Sequence, residues 1–174
     1  LFEFRRGYKL LRKYNKAISF FGSARFDFGS KAYKEAEELA AMLAKDGYAI
    51  ITGGGPGVME AANKGAKEAG GPSVGITILL PTGERRNQYV TDATSFRYFF
   101  VRKVMLSFAS QVYVFFPGGF GTLDEFFEII TLIQTRKIDP IPVVLLDKEY
   151  WKPLLVWMKE TLYEKHEAIA KDDM

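Results

Sequence analysis

Short apolar runs alternate with longer amphipathic segments along almost the whole chain. The apolar runs have the length of buried strands, and the segments between them place apolar residues at helical spacing. The predicted strands are residues 17–21, 48–52, 73–80, 112–116 and 141–146. The predicted helices are residues 1–16, 30–46, 58–69, 96–109, 122–136 and 150–163. This alternation predicts a parallel sheet that is covered by helices on both faces.

The order of these elements predicts an α/β fold, a doubly wound Rossmann-like parallel sheet in a single domain that spans residues 1–174. We expect the strand order 3-2-1-4-5, with the switch point between the first and fourth predicted strands. Ligands of such sheets bind outside the carboxyl ends of the strands at that point. The glycine-rich loops after strands one, two and four, and the polar loop 81–92 after strand three, all fall on that side.

The glycine-rich turn after the fourth predicted strand is the strongest candidate for a binding site. Pro117 ends the strand, and three glycines lead into a helix that Thr122 is expected to cap. The free N–H groups and the positive end of the helix dipole would form a site for an anion. Because Gly118, Gly119 and Gly121 lack a Cβ atom, a ligand can contact the backbone there directly.

Two interpretations of Glu125, one turn inside that helix, stay open at this point. As a carboxylate close to a bound ligand, it would be a functional group. As an acidic residue near a helix start, it would only complement the helix dipole, which contributes about 0.3–1 kcal/mol. The combination of a buried strand, Pro-Gly-Gly, Gly-Thr and an acid favours the functional interpretation.

Arg102 and Lys103 lie on the helix before this strand, and this pair also has two interpretations. An Arg-Lys pair on a helix is usually a solvated surface pair. Here aromatic and apolar residues surround the pair, from Tyr98 to Leu106, so a fully exposed face is not expected. A partly buried arginine needs an anionic partner, and Glu125 or a bound phosphate would serve.

Composition narrows the chemistry further. The chain has 174 residues, of which 48% are hydrophobic, with no cysteine and one histidine, His166. Thiolate nucleophiles, cysteine-bound metals and multi-histidine metal sites are therefore not expected, and we predict no metal and no cofactor. Carboxylates, arginine, lysine, hydroxyls and backbone groups remain to carry any chemistry.

The net charge and the length of the apolar runs limit the binding partners and the cellular location that we expect. The net charge is +3, and the basic residues of the first helix fit a solvated face, so no nucleic-acid partner is expected. The apolar runs are too short to cross a membrane, and residues 1–16 lack the apolar core of a signal peptide. We therefore expect a cytoplasmic protein with no membrane partner.

Two common nucleotide-binding motifs are missing from the sequence. The loop Gly53-Gly54-Gly55-Pro56-Gly57 does not have the spacing of the dinucleotide fingerprint, and no acidic residue ends the second strand. No Lys-Ser or Lys-Thr pair follows a glycine loop, which excludes a Walker motif. The pattern favours a site for one phosphate, or a few, over a dinucleotide site.

The stretch Pro-Gly-Gly-X-Gly-Thr-X-X-Glu at residues 117–125 resembles the signature of the Lonely Guy-type phosphoribohydrolases, formerly labelled "possible lysine decarboxylases". That family has an Arg-Lys pair on the helix before the signature strand, as this chain has at Arg102 and Lys103. Residues 53–63, GGGPGVMEAAN, are similar to the bacterial branch, and the similarity extends from residue 21 to residue 135. The resemblance implies a hydrolase that releases free base and ribose 5-phosphate from nucleoside 5′-monophosphates, of the AMP or cytokinin type.

The resemblance also implies roles for individual residues. Glu125 would stabilise or trap the ribosyl cation, and Arg102 would bind the substrate or assist departure of the base. The residues implied in substrate binding are Lys103, Gly118, Gly119, Phe120, Gly121, Thr122, Gly54, Ser23, Glu84 and Thr131. The loop around Glu84 departs from the family in length. Phe100 and Val101 stand where plant members have a Met-His-Glu type stretch, so cytokinin specificity is not carried over.

A carrier protein is the alternative function. Related proteins bind molybdenum cofactor on the same fold, so a non-catalytic nucleotide-binding or molybdenum-cofactor carrier would share these features. Lysine decarboxylation finds no support, because the sequence shows no lysine with an acidic partner for pyridoxal chemistry.

The aromatic residues of the predicted helix 96–109 indicate self-association. They are more numerous than one core-facing stripe needs, and extended exposed apolar faces usually mark interfaces. Related proteins are dimers or larger. We therefore expect at least a homodimer that buries part of this helix.

Overall fold

A single parallel sheet organises the computed structural model, which describes residues 2–80, 83 and 86–173. Its strands are β1 (Ala17–Phe21), β2 (Ala49–Thr52), β3 (Ser73–Ile78), β4 (Asp92–Phe96), β5 (Val112–Phe115) and β6 (Val143–Leu145). Within the described residues the order is β4-β3-β2-β1-β5-β6, and every neighbouring pair is parallel. The predicted order is confirmed for the five predicted strands, and β4 extends the sheet beyond β3.

Helices cover both faces of this sheet, as the alternating pattern predicts. They are α1 (Phe2–Leu11), α2 (Lys31–Lys45), α3 (Val58–Glu68), α4 (Phe99–Ser107), α5 (Phe120–Gln134) and α6 (Lys148–Trp157). A π-helical segment, Met158–Lys165, continues α6, and a short 3₁₀ turn covers Lys171–Asp173. One core cluster joins α1, α4, α5 and α6 to the sheet, and α2 and α3 pack in the second cluster. None of the described helices is both long and apolar enough to cross a membrane.

Strand β4 corrects the prediction of a polar loop over 81–92 followed by a helix from residue 96. Its sequence, DATSF, looks polar because an edge strand needs to bury only part of its surface. Thr94 and Phe96 are buried, while the other residues of β4 are only partly covered. The strand pairs with β3 in register from Val74 opposite Asp92 to Ile78 opposite Phe96. The aromatic helix therefore begins at Phe99, three residues later than predicted.

The start of helix α5 corrects a second prediction. Thr122 does not cap this helix, because α5 already begins at Phe120 and Gly119 occupies the capping position. Gly119 has no side chain that could accept a hydrogen bond from the first turn. The last helix, α6, begins two residues before its predicted start, because the side chain of Asp147 accepts a hydrogen bond from the backbone N–H of Tyr150.

The loops after β1 and β5 meet at the switch point of the sheet. The N–H of Phe116 donates to the carbonyl of Phe21 (2.8 Å), and the N–H of Ser23 donates to the carbonyl of Pro117 (3.0 Å). Beyond these bonds the two chains diverge, one toward α2 and the other toward α5. The divergence opens a cleft at the predicted edge of the sheet.

Helix α1 and the turn after it lie against α4 and β4, at the β4 edge of the sheet. The ammonium of Lys13 and the hydroxyl of Tyr14 both bond the carboxylate of Asp92, at 2.7 and 3.0 Å. Gly7 of α1 faces Met105 of α4 so closely that a Cβ atom at Gly7 would overlap the methionine sulfur. The absence of a side chain at Gly7 thus lets α1 touch the helix that carries Arg102.

Candidate active site

A cleft of about 860 Å³ opens at the carboxyl ends of β1 and β5. It is lined by the loops after β1, β2 and β5, by α4 and by the first turns of α5 and α6. Most of the predicted site residues line it, namely Ser23, Arg102, Lys103, Gly118, Gly119, Phe120, Gly121, Thr122 and Glu125. The topology therefore brings together residues that are up to 102 positions apart in the sequence, from Ser23 to Glu125.

The loop before α5 lines this cleft and contains backbone N–H groups that are not used by the helix. The N–H groups of Thr122 and Leu123 both donate to the carbonyl of Gly119, at 3.0 and 3.1 Å. Those of Gly119, Phe120 and Gly121 have no acceptor among the described residues. A Cβ atom at Gly119 or Gly121 would meet nothing within 4 Å, so the space in front of this backbone is open. Free N–H groups at a helix start form a site for an anion.

Gly118 is fixed from two sides. Thr122 is buried, and its side chain packs against Gly118. A Cβ atom added to Gly118 would overlap this side chain, because it would lie only 2.6 Å from the Cβ of Thr122. From the opposite helix, the hydroxyl of Tyr150 donates to the Gly118 carbonyl at 2.6 Å. Thr122 therefore acts through its packing against Gly118, in place of the capping role that its position in the sequence suggests.

Glu125 is a buried carboxyl group without a protein partner for one oxygen. Only 7% of the residue is exposed, and its Oε2 makes no hydrogen bond within the described part of the chain. Burial raises the pKa of Glu125 to about 7, although the positive charge of Arg102 opposes the shift. A residue that merely complemented a helix dipole would lie in solvent, so this geometry favours the functional interpretation.

Arg102 makes a backbone hydrogen bond to β3 and lies close to the loop after β2. Its Nε donates to the carbonyl of Ile76 in β3 (2.8 Å), and its guanidinium lies against Gly53. A Cβ atom at Gly53 would overlap Nη2 of the guanidinium. Burial lowers the pKa of Arg102, and the charge of Glu125 partly offsets the effect. Arg102 is thus partly buried, as the surrounding aromatic sequence predicts.

Lys103, the next residue, is engaged by carboxylates of α5. Its ammonium lies 2.8 Å from Asp124 and 2.6 Å from Glu128, and the hydroxyl of Ser107 lies 3.1 Å from the other oxygen of Glu128. Burial lowers the pKa of Lys103, but the hydrogen bonds to the two carboxylates outweigh it and raise the pKa overall. Its predicted contact with substrate stays a prediction.

Two other predicted residues, Gly54 and Thr131, are described by the structure and do not line the cleft. Gly54 is buried with φ +74°, and its carbonyl accepts hydrogen bonds from the backbone and side chain of Asn87. Thr131 is exposed, almost two turns beyond Glu125 on α5. Glu84 lies outside the described residues. Their roles in binding remain predictions.

Several residues that line the cleft, among them Gly53 and Tyr150, are not among the predicted site residues. In the loop after β2 the prediction names Gly54, the neighbour of Gly53. Tyr150 stands three residues after Asp147, a helix-capping residue at the end of a strand, and this spacing could have placed it at the cleft.

Aromatic and thioether side chains form the apolar wall of the cleft. Phe26, Phe99 and Met59 line it beside the glycine loops, and Phe120 projects with 93% of its surface exposed. Flat apolar walls of this kind suit a planar ring. No group of three or more potential metal ligands occurs among the described residues.

The sequence pattern of residues 59–174 matches the model of the family described as "Possible lysine decarboxylase". The chain belongs to this family. The resemblance found in the signature motif is therefore confirmed over most of the chain.

Members of the possible lysine decarboxylase family that have been named for an activity are similar to this chain. A cytokinin riboside 5′-monophosphate phosphoribohydrolase of Rhodococcoides fascians is 27% identical over 86% of this chain and 77% of its own length. A protein of the same name from Arabidopsis thaliana is 30% identical over 87% of this chain and 72% of its own length. The molybdenum cofactor binding protein of Rippkaea orientalis has a similar structure, with a TM-score of 0.62, 26% identity and coverage of 81% and 80%.

Proposed function

We propose that this member of the family hydrolyses the N-glycosidic bond of nucleoside 5′-monophosphates to free base and ribose 5-phosphate. The proposal rests on one observation: the same cleft contains the open N–H loop before α5 and the buried carboxyl group of Glu125, whose Oε2 has no partner among the described residues. The loop suits an anion, and the carboxyl group suits a cation. A ribosyl phosphate in the transition state has both charges.

The chemistry follows from the charge that the reaction builds. As the bond from C1′ to the base nitrogen breaks, positive charge develops on the ribose ring. An ionised Glu125 would stabilise that cation, or trap it as a covalent ester that water then hydrolyses. Overall, the hydroxyl of one water adds to C1′, and its proton goes to the departing base. Arg102, fixed beside Gly53, would contact the substrate or the departing base.

The opposite end of the substrate would lie at the glycine loop. The N–H groups of Gly119, Phe120 and Gly121 would hold the 5′-phosphate, supported by the dipole of α5. The apolar wall that includes Phe26 and Phe99 would contact the base. The names of the phosphoribohydrolase relatives support this class of substrate.

Decarboxylation of lysine is disfavoured by the same geometry. Lys103 is the only lysine among the described residues that line the cleft. Its ammonium is bound by Asp124 and Glu128, and this pairing keeps it charged. A lysine that forms a Schiff base must instead be available as a neutral amine.

The second candidate is a carrier of molybdenum cofactor, and the similar structure from Rippkaea orientalis favours it. A pterin cofactor also combines a ring system with a phosphate, so the apolar wall and the N–H loop would serve it as well. A carrier has no use for a buried carboxyl group of raised pKa, and for this reason we rank it second.

We further propose at least a homodimer, located in the cytoplasm. Tyr98, Phe99 and Phe100, at the start of α4, are 60%, 59% and 61% exposed. Three neighbouring exposed aromatic residues beside a cleft would form the apolar face of an interface. Light scattering at micromolar concentration is expected to give at least the mass of two chains, and a mass of one chain would contradict the dimer.

The hydrolase is tested with the wild-type protein and a broad panel of nucleoside 5′-monophosphates. Chromatography is expected to detect free base and ribose 5-phosphate in equal amounts from at least one of them. Calorimetry is expected to show AMP bound more tightly than adenosine, because only AMP carries the phosphate. Folded protein that releases no base from any member of the panel would replace the hydrolase with the carrier.

A further inference from the structure

Tyr150 lines the cleft and has no role in the proposed reaction, yet it is bonded to the loop that would hold the phosphate. Its hydroxyl donates to the carbonyl of Gly118 at 2.6 Å. We propose that Tyr150 is a positioning residue, which fixes the peptide between Gly118 and Gly119 so that the loop binds the 5′-phosphate of the substrate. The inference rests on the proposed function, because it concerns the same phosphate.

Local sequence determines where Tyr150 lies. The N–H of Leu146 donates to the carbonyl of Phe115 (2.8 Å), which keeps the end of β6 beside β5. Asp147 then turns the chain with φ +74°, and its carboxylate accepts a hydrogen bond from the N–H of Tyr150. The ring of Tyr150 packs edge-on against the buried Trp151, with centroids 4.9 Å apart. Tyr150 is thus presented to the glycine loop by a capped helix start.

The hydrogen bond fixes a peptide that would otherwise turn freely. In a trans peptide the C=O and N–H bonds point in opposite directions. With the Gly118 carbonyl directed to Tyr150, the N–H of Gly119 points away from Tyr150. Two consecutive glycines allow this peptide to flip at low cost, and a flip would place a carbonyl where the N–H had been. A carbonyl repels a phosphate, so an unfixed loop would spend part of its time unable to bind.

Thr122 and Tyr150 each restrain a different part of Gly118. The Thr122 side chain fills the space beside the Gly118 Cα, and the Tyr150 hydroxyl holds its carbonyl. An independent observation shows that the cleft is built for a ligand: Glu125 is 7% exposed and its Oε2, which has no partner within the described residues, belongs to the same cleft.

The test is Tyr150→Phe, which removes the hydroxyl and keeps the ring. Loss of one hydrogen bond corresponds to about a threefold to tenfold change in an equilibrium constant. The Kd values of AMP and ribose 5-phosphate, measured by calorimetry, are expected to rise by that factor. The Kd of adenosine is expected to stay unchanged. In the hydrolase assay KM should rise with little change in kcat, because the phosphate is held equally in the ground state and the transition state.

Tyr163→Phe is the matched control. Tyr163 lies on the π-helical continuation of α6, outside the cleft, and its hydroxyl makes no hydrogen bond within the described residues. This variant should bind all three ligands as the wild type does. Thermal unfolding of both variants shows whether the fold is intact.

The outcomes separate the inference from the proposed function. Equal Kd values of AMP in the wild type and Tyr150→Phe, or equal losses for AMP and adenosine, would overturn the positioning role. A wild type that releases no base, but whose affinity for ribose 5-phosphate falls selectively in Tyr150→Phe, would overturn the hydrolase and uphold the positioning role.

Discussion

Two clusters of charged residues lie side by side between α4 and α5, and they differ in whether their charges are paired. The closed cluster consists of Lys103, Asp124 and Glu128, whose charges bond one another at 2.6 to 2.8 Å. The open cluster consists of Arg102 and Glu125. There the guanidinium bonds a backbone carbonyl, and one carboxylate oxygen has no partner within the described residues.

The difference shows which charges the protein satisfies by itself. Burying a charge without a partner costs free energy, and a folded protein retains such a group where it serves another purpose. Asp124 and Glu128 lie next to Glu125 on the same helix, and Lys103 pairs with both of them. A lysine that pairs with Glu125 would therefore have been possible at this position too. If the proposed function is correct, the partner of the open cluster is the substrate.

The largest expected effect is on the open cluster. Glu125→Gln keeps the size of the side chain and removes its charge. If the carboxylate stabilises a ribosyl cation, kcat should fall at least about 100-fold, with little change in substrate affinity. Chromatographic detection of free base from the wild type and the variant measures the ratio.

Glu128→Gln is the matched control, since Glu128 lies one turn away in the closed cluster. Equal losses of kcat in both variants would contradict the distinction between the clusters. Stability provides a second check on Glu125. Its folded pKa, about 7, is raised, so its contribution to stability is fully present below the unfolded pKa and is lost as pH rises through 7. Glu125→Gln should therefore be at least as stable as the wild type at pH 8.

The pH profile gives the next largest effect. Because the ionised carboxylate is the proposed active form, kcat/KM should fall below pH 7 and approach a tenfold loss per pH unit. Above that pH it should be level. A profile that is flat from pH 5 to 8, with substrates whose own ionisation has been allowed for, would show that Glu125 does not titrate in the free enzyme.

Gly53→Ala tests the position of Arg102. The new Cβ atom would overlap Nη2 of Arg102 and lie 2.9 Å from the sulfur of Met59, so the guanidinium must move. We expect a loss of kcat/KM of about tenfold, below the roughly 100-fold that a full 1 Å misplacement of an oriented group can cause, with little loss of stability. Gly29→Ala is the control, because its Cβ atom would meet only Asp27, at 3.4 Å. Equal activity of both variants would show that Arg102 can act from another position.

The closed cluster should respond least in activity. Lys103→Met leaves Asp124 and Glu128 without their cation, and we expect a loss of about 1 kcal/mol in the free energy of unfolding by urea. Activity should change only a few-fold. The control is Lys64→Met, because Lys64 pairs with Glu37 at 2.8 Å away from the cleft. A loss of kcat as large as that of Glu125→Gln would move Lys103 into the open cluster.

Strands with strong apolar character could be predicted from the sequence, and polar ones could not. β1 and β5 are buried on both faces, and their runs of apolar residues indicated them directly. β4 lies at an edge of the sheet and buries Thr94 and Phe96. Because the segment is mostly polar, its sequence does not show this alternation of buried and partly exposed residues. Local pattern cannot show that a neighbouring strand will complete such an element.

The part of the candidate site that lies in one continuous segment of the chain could be predicted from the sequence. The glycine loop and Glu125 lie within eight residues, and both line the cleft. Arg102 and Glu125 were also expected to lie together, although they are 23 positions apart, but other remote partners were not predicted. The carboxylates of Lys103 lie 21 and 25 positions away, and Tyr150 lies 32 positions from Gly118. These contacts depend on the packing of α4, α5 and α6, which periodicity does not specify.

Helix α1 and the turn after it contact residues that are remote in sequence, and this bears on their place in the order of folding. The bonds of Lys13 and Tyr14, in that turn, to Asp92 close loops of 79 and 78 positions. Long loops close slowly because their closure costs chain entropy, so we expect α1 to dock after β3 and β4 have paired. We expect the same helix to be among the first elements to leave in a partial opening. Its departure would uncover Met105, which lies against Gly7 and belongs to α4, the helix that carries Arg102.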